Sequence, residues 1–137
     1  MSDRDLNDLD PALLSLCQQW LDACHAQGIN VFITQTYRSD AEQDADYAQG
    51  RTTPGNIITN AQAGQSAHNC TLEDGTPASA AFDFAIQGAN GVLDWDASDP
   101  AWQTAISIGE GLGLVSGSTW HSIKDTPHFE LPNWQNT

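Results

Sequence analysis

The sequence predicts an α+β domain. Three capped helical patterns and three short strand-like runs share 137 residues, and they show no regular strand–helix–strand alternation. That length suits one domain with one core and leaves little room for a second. Residues 1–137 are therefore read as a single domain, since no repeat, low-complexity tract or long linker marks off another. A hydrophobic content of 39% with five tryptophans fits a packed globule rather than a disordered chain.

The elements follow in order. Asp10 can cap a helix over residues 10–27, with Pro11 in its first turn and Gly28 just past its end. Leu13, Leu14, Cys17, Trp20, Leu21 and Cys24 recur at helical spacing and define its buried face. Cys17 and Cys24 thus read as small core hydrophobes. With Cys70 they form no CxxC pair, and nothing demands a disulfide. Residues 29–37 read as a strand. Ser39-Asp40-Ala41-Glu42 has the form of a capping box and opens a short helix that Gly50 closes. Residues 51–66 form a Gly/Asn/Thr/Gln loop without periodicity, of a length that in compact domains often carries function. Residues 80–86 read as a strand with Phe82, Phe84 and Ile86 on one face and Asp83 on the other. Asp99-Pro100 opens a second long helix that runs to residue 111 or 113. The tail, 120–131, holds a turn and a last short strand over 127–131.

Charge narrows the function classes. Four Lys plus Arg stand against eighteen Asp plus Glu, a net charge of −14 with a pI near 4.1. Phosphate backbones and anionic lipids repel such a surface, which argues against nucleic-acid and membrane partners. No apolar run approaches the ~20 residues of a membrane helix. The N-terminus, MSDRDLNDLD, is acidic where a secretory signal is basic and then apolar. The expectation is a soluble chain made in the cytoplasm without a signal peptide. Only Arg4, Arg38, Arg51 and Lys124 are cationic, so a site that holds a carboxylate has few candidates.

Two of the four histidines sit in informative company: His68 in Ser66-Ala67-His68 at the end of the long loop, and His128 in Asp125-Thr126-Pro127-His128-Phe129-Glu130. A catalytic zinc takes three protein ligands and keeps one open position, and two histidines with one carboxylate are a common set. It also needs a nearby base, which Asp125, three residues before His128, could supply. Taken one at a time, these residues fit a structural role as well as a catalytic one. His25 and His121 are read as structural. Asp94-Trp95-Asp96-Ala97-Ser98-Asp99 alternates oxygen-bearing side chains like the start of a calcium loop. It has no glycine at the sixth position and no glutamate at the twelfth, and Asp99 already serves as a cap.

Several motifs, in order, resemble one family. Thr36-Tyr37-Arg38-Ser39, Ala41-Glu42-Gln43 and Tyr47-Ala48-Gln49-Gly50-Arg51-Thr52 are similar to the N-terminal signature of L-alanyl-D-glutamate endopeptidases. These are the phage-endolysin and wall-remodelling branch of the D-alanyl-D-alanine carboxypeptidase family of zinc peptidases. Asn60-Ala61 with Gly64-Gln65-Ser66-Ala67-His68-Asn69 resembles the approach to the first zinc ligand, and Ala81-Phe82-Asp83-Phe84 the strand bearing the aspartate ligand. Residues 109–114, Trp120 and Asp125-Thr126-Pro127-His128-Phe129-Glu130 resemble the closing helix end and motif. The match runs from about Ile33 to Leu131.

The resemblance implies a small antiparallel sheet packed with a few helices and a zinc site in a cleft, an architecture that the hedgehog signalling domain also resembles. It makes His68, Asp83 and His128 the Zn2+ ligands and Asp125 the general base. Arg38 and Ser66 would hold the substrate, since a guanidinium fork matches a carboxylate, and Gln43 is a further candidate for that pocket. Without those roles they read as a surface ion pair, a turn residue and an exposed helix residue. His121 could also polarise the scissile carbonyl or orient Asp125.

The implied partner is the stem peptide of peptidoglycan, met by a monomer with no separate wall-binding module. The implied setting is a phage or prophage lysin that acts on the wall after release. A D-alanyl-D-alanine carboxypeptidase and a non-catalytic zinc-containing binding domain are the alternatives, and an intact Asp125 disfavours the second.

One departure stands out. Fourteen residues separate His68 from Asp83, more than the family uses, and the excess is residues 70–79 with the turn signal Asp74-Gly75. It is read as a surface excursion, with Cys70 a bystander. Counting alone favours Asp74, six beyond His68. Chemistry favours Asp83, because a strand between packed aromatics can hold a ligand rigidly.

Overall fold

The computed structural model describes residues 3–88, 90–120 and 125–134. Asp10 caps helix α1 (Pro11–Ala26) by accepting the Ala12 N–H at 2.9 Å. Strand β1 (Val31–Gln35) follows, then α2 (Asp40–Ala48), whose capping box pairs Ser39 and Glu42 in both directions. Strands β2 (Ala81–Gln87) and β3 (Leu93–Asp94) lead to α3 (Pro100–Gly111), which Asp99 caps. Strands β4 (Val115–Ser116) and β5 (His128–Glu130) are the last among the described residues. The class is α+β. The sheet is antiparallel in the order β1-β2-β5-β4, with β3 paired to the far end of β2.

Strands β1 and β5 are shorter than the sequence patterns, whereas β2 keeps the expected length one residue further on. Strand β1 stops at Gln35 because Thr36 leaves the sheet: its N–H donates to Asp3 O at 2.6 Å and its hydroxyl to Asp5 O at 2.9 Å. Strands β3 and β4 have two residues each, too few for a period of two to register in sequence.

Helices α1 and α3 cover one face of the sheet. Trp20 of α1 is the centre of that core, with the rings of Phe84, Phe82 and Phe129 at 4.7, 5.5 and 5.5 Å and its indole N–H donating to Ala105 O at 2.8 Å. Burying such an aromatic with its polar edge satisfied is a large stabilising contribution, and truncating one costs about 3–5 kcal/mol. Cys17 and Cys24 lie in this core, all three cysteines are free, and burial pushes the Cys17 and Cys24 thiols up to about 12 and about 11. They are packing residues rather than nucleophiles.

The excursion after the first histidine is a small surface hairpin. Thr71 bridges Pro77, Leu72 N donates to Thr76 O at 2.8 Å, and Gly75 takes the positive φ of +88° that its tight turn needs.

Gly109 leaves room on α3 for the Phe129 ring of β5, which an added Cβ would overlap. Gly109→Ala is expected to destabilise the fold by about 1–3 kcal/mol, a drop in Tm on the order of 5–10 °C in a thermal melt. An unchanged Tm would mean that the contact between α3 and β5 is looser than described.

Candidate functional site

Strand register builds most of the site. Gln35 pairs with Asp83 and Asp83 with His128, so one row of neighbours crosses β1, β2 and β5 on the face away from Trp20. Asp83 Oδ1 lies 3.1 Å from His128 Nδ1 and 3.1 Å from His68 Nε2.

His68 arrives from outside the sheet, on a single turn over Ala67–Asn69. Ser66 Oγ accepts the His68 N–H at 3.3 Å and Asn69 Oδ1 accepts the Ser66 N–H at 3.1 Å, a reciprocal cap. The turn is tied down on both sides, by Arg38 N to His68 O and by Ala80 N to Ala67 O, each at 2.9 Å.

The outer nitrogen of each ring is also occupied. Thr36 O lies 2.7 Å from His68 Nδ1. A carbonyl only accepts, so Nδ1 donates to Thr36 O and Nε2 is the atom that faces Asp83. Glu130 Oε1 accepts from His128 Nε2 at 2.8 Å, which leaves Nδ1 facing the cluster. The ligand atoms of His68, Asp83 and His128 all lie within 4.8 Å of one another. Two imidazole nitrogens and one carboxylate oxygen, each imidazole held from behind by a carbonyl or carboxylate, fit a divalent transition metal. Asp74 is no part of this group. It sits exposed at the hairpin tip, accepting from Thr76 N at 2.9 Å.

Electrostatics support the cluster. Burial opposes the charge on Asp83, but His68 and His128 outweigh it and hold the carboxyl well below its usual range. Burial likewise disfavours the charged ring of His128, yet Asp83 and Glu130 raise it to about 9. Asp125 goes the other way. Burial first, then the charge of Asp83, raises its pKa above the ordinary carboxylate value, against a partial offset from His128, His68 and Arg38. Its Oδ2 lies 3.6 Å from His128 Nδ1. A carboxylate made more basic, beside a metal-type cluster, suits proton transfer.

A cavity of about 560 Å³ opens over the cluster, with Arg38, His68, Trp120, Asp125, His128 and Glu130 among its walls. Ser66 lines it as well as capping the His68 turn. Gln43 departs from both of its expected places. It is fully buried rather than exposed on α2, and it stands behind Arg38 rather than on the cavity wall. Cys70 is half-buried and outside the cluster. His121 lies outside the described residues. Asp96 Oδ1 is engaged by the N–H and hydroxyl of Ser98 and Asp99 caps α3. Sequence reasoning missed Gln35, Thr36 O and Glu130 as supporting groups. Glu130 was within reach, because a residue two after His128 in a strand shares its face.

The chain is 37% identical over 135 residues to the peptidoglycan L-alanyl-D-glutamate endopeptidase CwlK of Bacillus subtilis (strain 168), a match that covers 93% of this chain and 76% of that protein. Among solved structures it is similar to the L-Ala D-Glu endopeptidase ChiX of Serratia marcescens, with a TM-score of 0.67, 18% identity, and 99% and 92% of the two chains covered. It is also similar to the LD-carboxypeptidase LdcB, with a TM-score of 0.67, 13% identity, and 90% and 58% covered. At those identities the two structures speak for the fold alone. No family model matches the chain.

The donor set is checked by metal analysis of purified variants. Asp83→Ala is expected to lose its bound divalent metal, whereas Asp74→Ala keeps it. Glu130→Gln is expected to weaken metal affinity by about 10–100-fold in chelator competition, because His128 loses its anionic support. Metal loss in Asp74→Ala with retention in Asp83→Ala would move the hairpin into the site.

Proposed function

The chain belongs to the family of peptidoglycan L-alanyl-D-glutamate endopeptidases, and on that premise we propose that it is a zinc-dependent peptidoglycan hydrolase that cuts the L-alanyl-D-glutamate bond of the stem peptide. The observation that carries this reading is one cavity that opens over a two-histidine, one-carboxylate cluster and is lined by both histidines, a half-buried carboxylate of raised basicity and an arginine. No other kind of catalytic machinery is needed to hydrolyse an amide.

His68, Asp83 and His128 would hold the zinc, which when bound supplies Lewis acidity toward a carbonyl oxygen and acidifies water. The chain's own groups do the rest. Asp125 accepts the proton of the attacking water at its carboxylate and delivers it to the departing amine of D-glutamate. Arg38 receives a carboxylate of the substrate. Trp120, whose ring centroid lies 4.8 Å from that of His128, shields that side of the imidazole from water. The setting we propose is that of a phage-type endolysin, acting as a monomer on the wall once released from the cell that makes it. No helix among the described residues is long and apolar enough to cross a membrane.

Digestion of purified peptidoglycan followed by mass spectrometry is the test. New N-terminal D-glutamate with L-alanine left on the glycan side is the expected product, abolished by chelation and restored by zinc. Free D-alanine as the sole product would instead make the enzyme a carboxypeptidase. Asp125→Asn is expected to keep fold and metal while turnover falls by about 10²–10⁴-fold. Wild-type turnover in that variant would remove Asp125 from the chemistry.

A further inference from the structure

Arg38 is the only arginine or lysine among the described residues that lines the cavity, and its surroundings are unusual for a mostly buried guanidinium. Such groups are ordinarily paired with carboxylates. Here both hydrogen bonds go to uncharged amides: Nη2 donates to Gln35 Oε1 at 2.6 Å and Nη1 to Gln43 Oε1 at 2.9 Å. Two carboxylates stand near without a hydrogen bond, Asp46 Oδ2 at 3.5 Å from Nε and Asp83 Oδ2 at 3.9 Å from Nη2. Asp83 is already engaged by two histidines. Nε is the one buried side-chain polar atom among the described residues that has no hydrogen-bond partner. A guanidinium carries five N–H donors, so donors remain for an acceptor that enters the cavity.

Both glutamines are fixed by the fold. Gln43 is fully buried and spends its other end on Ala61 O, donating from Nε2 at 2.8 Å, which ties Arg38 to the loop over residues 51–66. Gln35 owes its position to a β-bulge. The pairing of β1 with β2 steps from Ile33·Phe84 to Gln35·Asp83, so Thr34 is an extra residue. In a regular strand Gln35 would share the core face with Ile33. The bulge turns it onto the face of Asp83.

We infer that Gln35 and Gln43 are positioning residues that aim Arg38 through neutral acceptors, leaving its charge to select a stem peptide whose glutamate keeps a free carboxylate over one in which that group is a carboxamide. This rests on the function proposed above and supplies its specificity. Glutamate built into a peptide uses one carboxyl in the chain and retains the other. The retained carboxylate is an anionic acceptor for the donors left on Arg38, and the carboxamide has no charge and turns N–H donors toward them. A glutamate in place of either glutamine has nearly the same size but would add a hydrogen-bonded counter-charge to the two carboxylates already near Arg38.

Two synthetic stem peptides that differ only in carboxylate or carboxamide at that glutamate are the probes, cleaved by the zinc-loaded protein. The wild type is expected to favour the carboxylate by about 10–100-fold in kcat/KM, expressed mainly in KM. Q43E and Q35E, with metal content and circular dichroism retained, are expected to reduce that preference to less than about threefold, by raising KM for the carboxylate peptide. Gln35 is only partly buried, so Q35E carries the test if a charge at position 43 prevents folding. A merely structural role would slow both peptides alike and leave the ratio intact. An unchanged ratio in the folded variants, or equal cleavage of both peptides by the wild type, overturns the inference. Cleavage of neither peptide by the wild type overturns instead the function on which it rests.

Discussion

The register of three strands is the constraint from which this molecule's chemistry follows. Gln35, Asp83 and His128 lie side by side because β1, β2 and β5 pair as they do. That same register sets Phe82 against Phe129 and Ile33 against Phe84 on the opposite face, where Trp20 packs among the rings. A slip of one residue exchanges the two faces. It would drive Asp83 and His128 into an apolar core and turn the aromatic rings toward the cleft. Burying an unpaired carboxylate is prohibitive, so the packing of the core and the alignment of the site are a single requirement.

His68 stands outside that row and is fixed by a second device. Thr36 O receives the His68 Nδ1–H at 2.7 Å and the Ser79 hydroxyl at 3.1 Å. Thr36 is held from behind by Asp3 and Asp5, and the backbone of Ser79 bonds to Asp8 and Asp10. The N-terminal segment, the histidine turn and the entry to β2 are thus one hydrogen-bonded unit. This explains why the hairpin over residues 70–79 does not disturb the cluster. Its ends close on each other through Ala78 N to Cys70 O at 3.0 Å, and Ala80 N to Ala67 O at 2.9 Å seals the junction behind it. Closing such a loop adds little entropic cost, and the relation of His68 to Asp83 is set by residues that the hairpin leaves in place.

Scarce positive charge is distributed by geometry. Arg4 sits over the Phe32 ring and bonds Ile33 O, at the back of β1. Arg51 stacks on Tyr47 at 3.8 Å and donates to Tyr47 O, Thr59 O and Asn60 Oδ1, so it closes the long loop on itself. Lys124 lies outside the described residues. Arg38 is left to the cavity. In a chain of net charge −14 the general field repels an anionic peptide, so under the proposed function its recognition would have to come from short-range contacts inside the cleft.

Features encoded over a few neighbouring residues were legible from sequence. The caps at Asp10, Ser39 with Glu42, and Asp99 depend on chemistry within one helical turn. The alternation that sends Asp83 away from Phe82 and Phe84 is a property of any strand. The choice between Asp83 and Asp74 was open to the same reasoning, since an aspartate before a glycine belongs in a turn. By itself, then, the sequence determined the class of fold, the helix ends, the family and which side chains could bind a metal. Only the tertiary structure decided that Gln35 faces the site, that Gln43 lies buried behind Arg38, and that Glu130 and Thr36 O hold the two imidazoles. A bulge exists only relative to the strand it pairs with, and α2 is polar enough in sequence to hide a buried glutamine until Arg38 and Ala61 supply its partners. The bonds that complete the site span 45 residues between Asp83 and His128 and 32 between Thr36 and His68. Contacts over such separations are set by strand register and loop closure, which no local pattern of residues specifies.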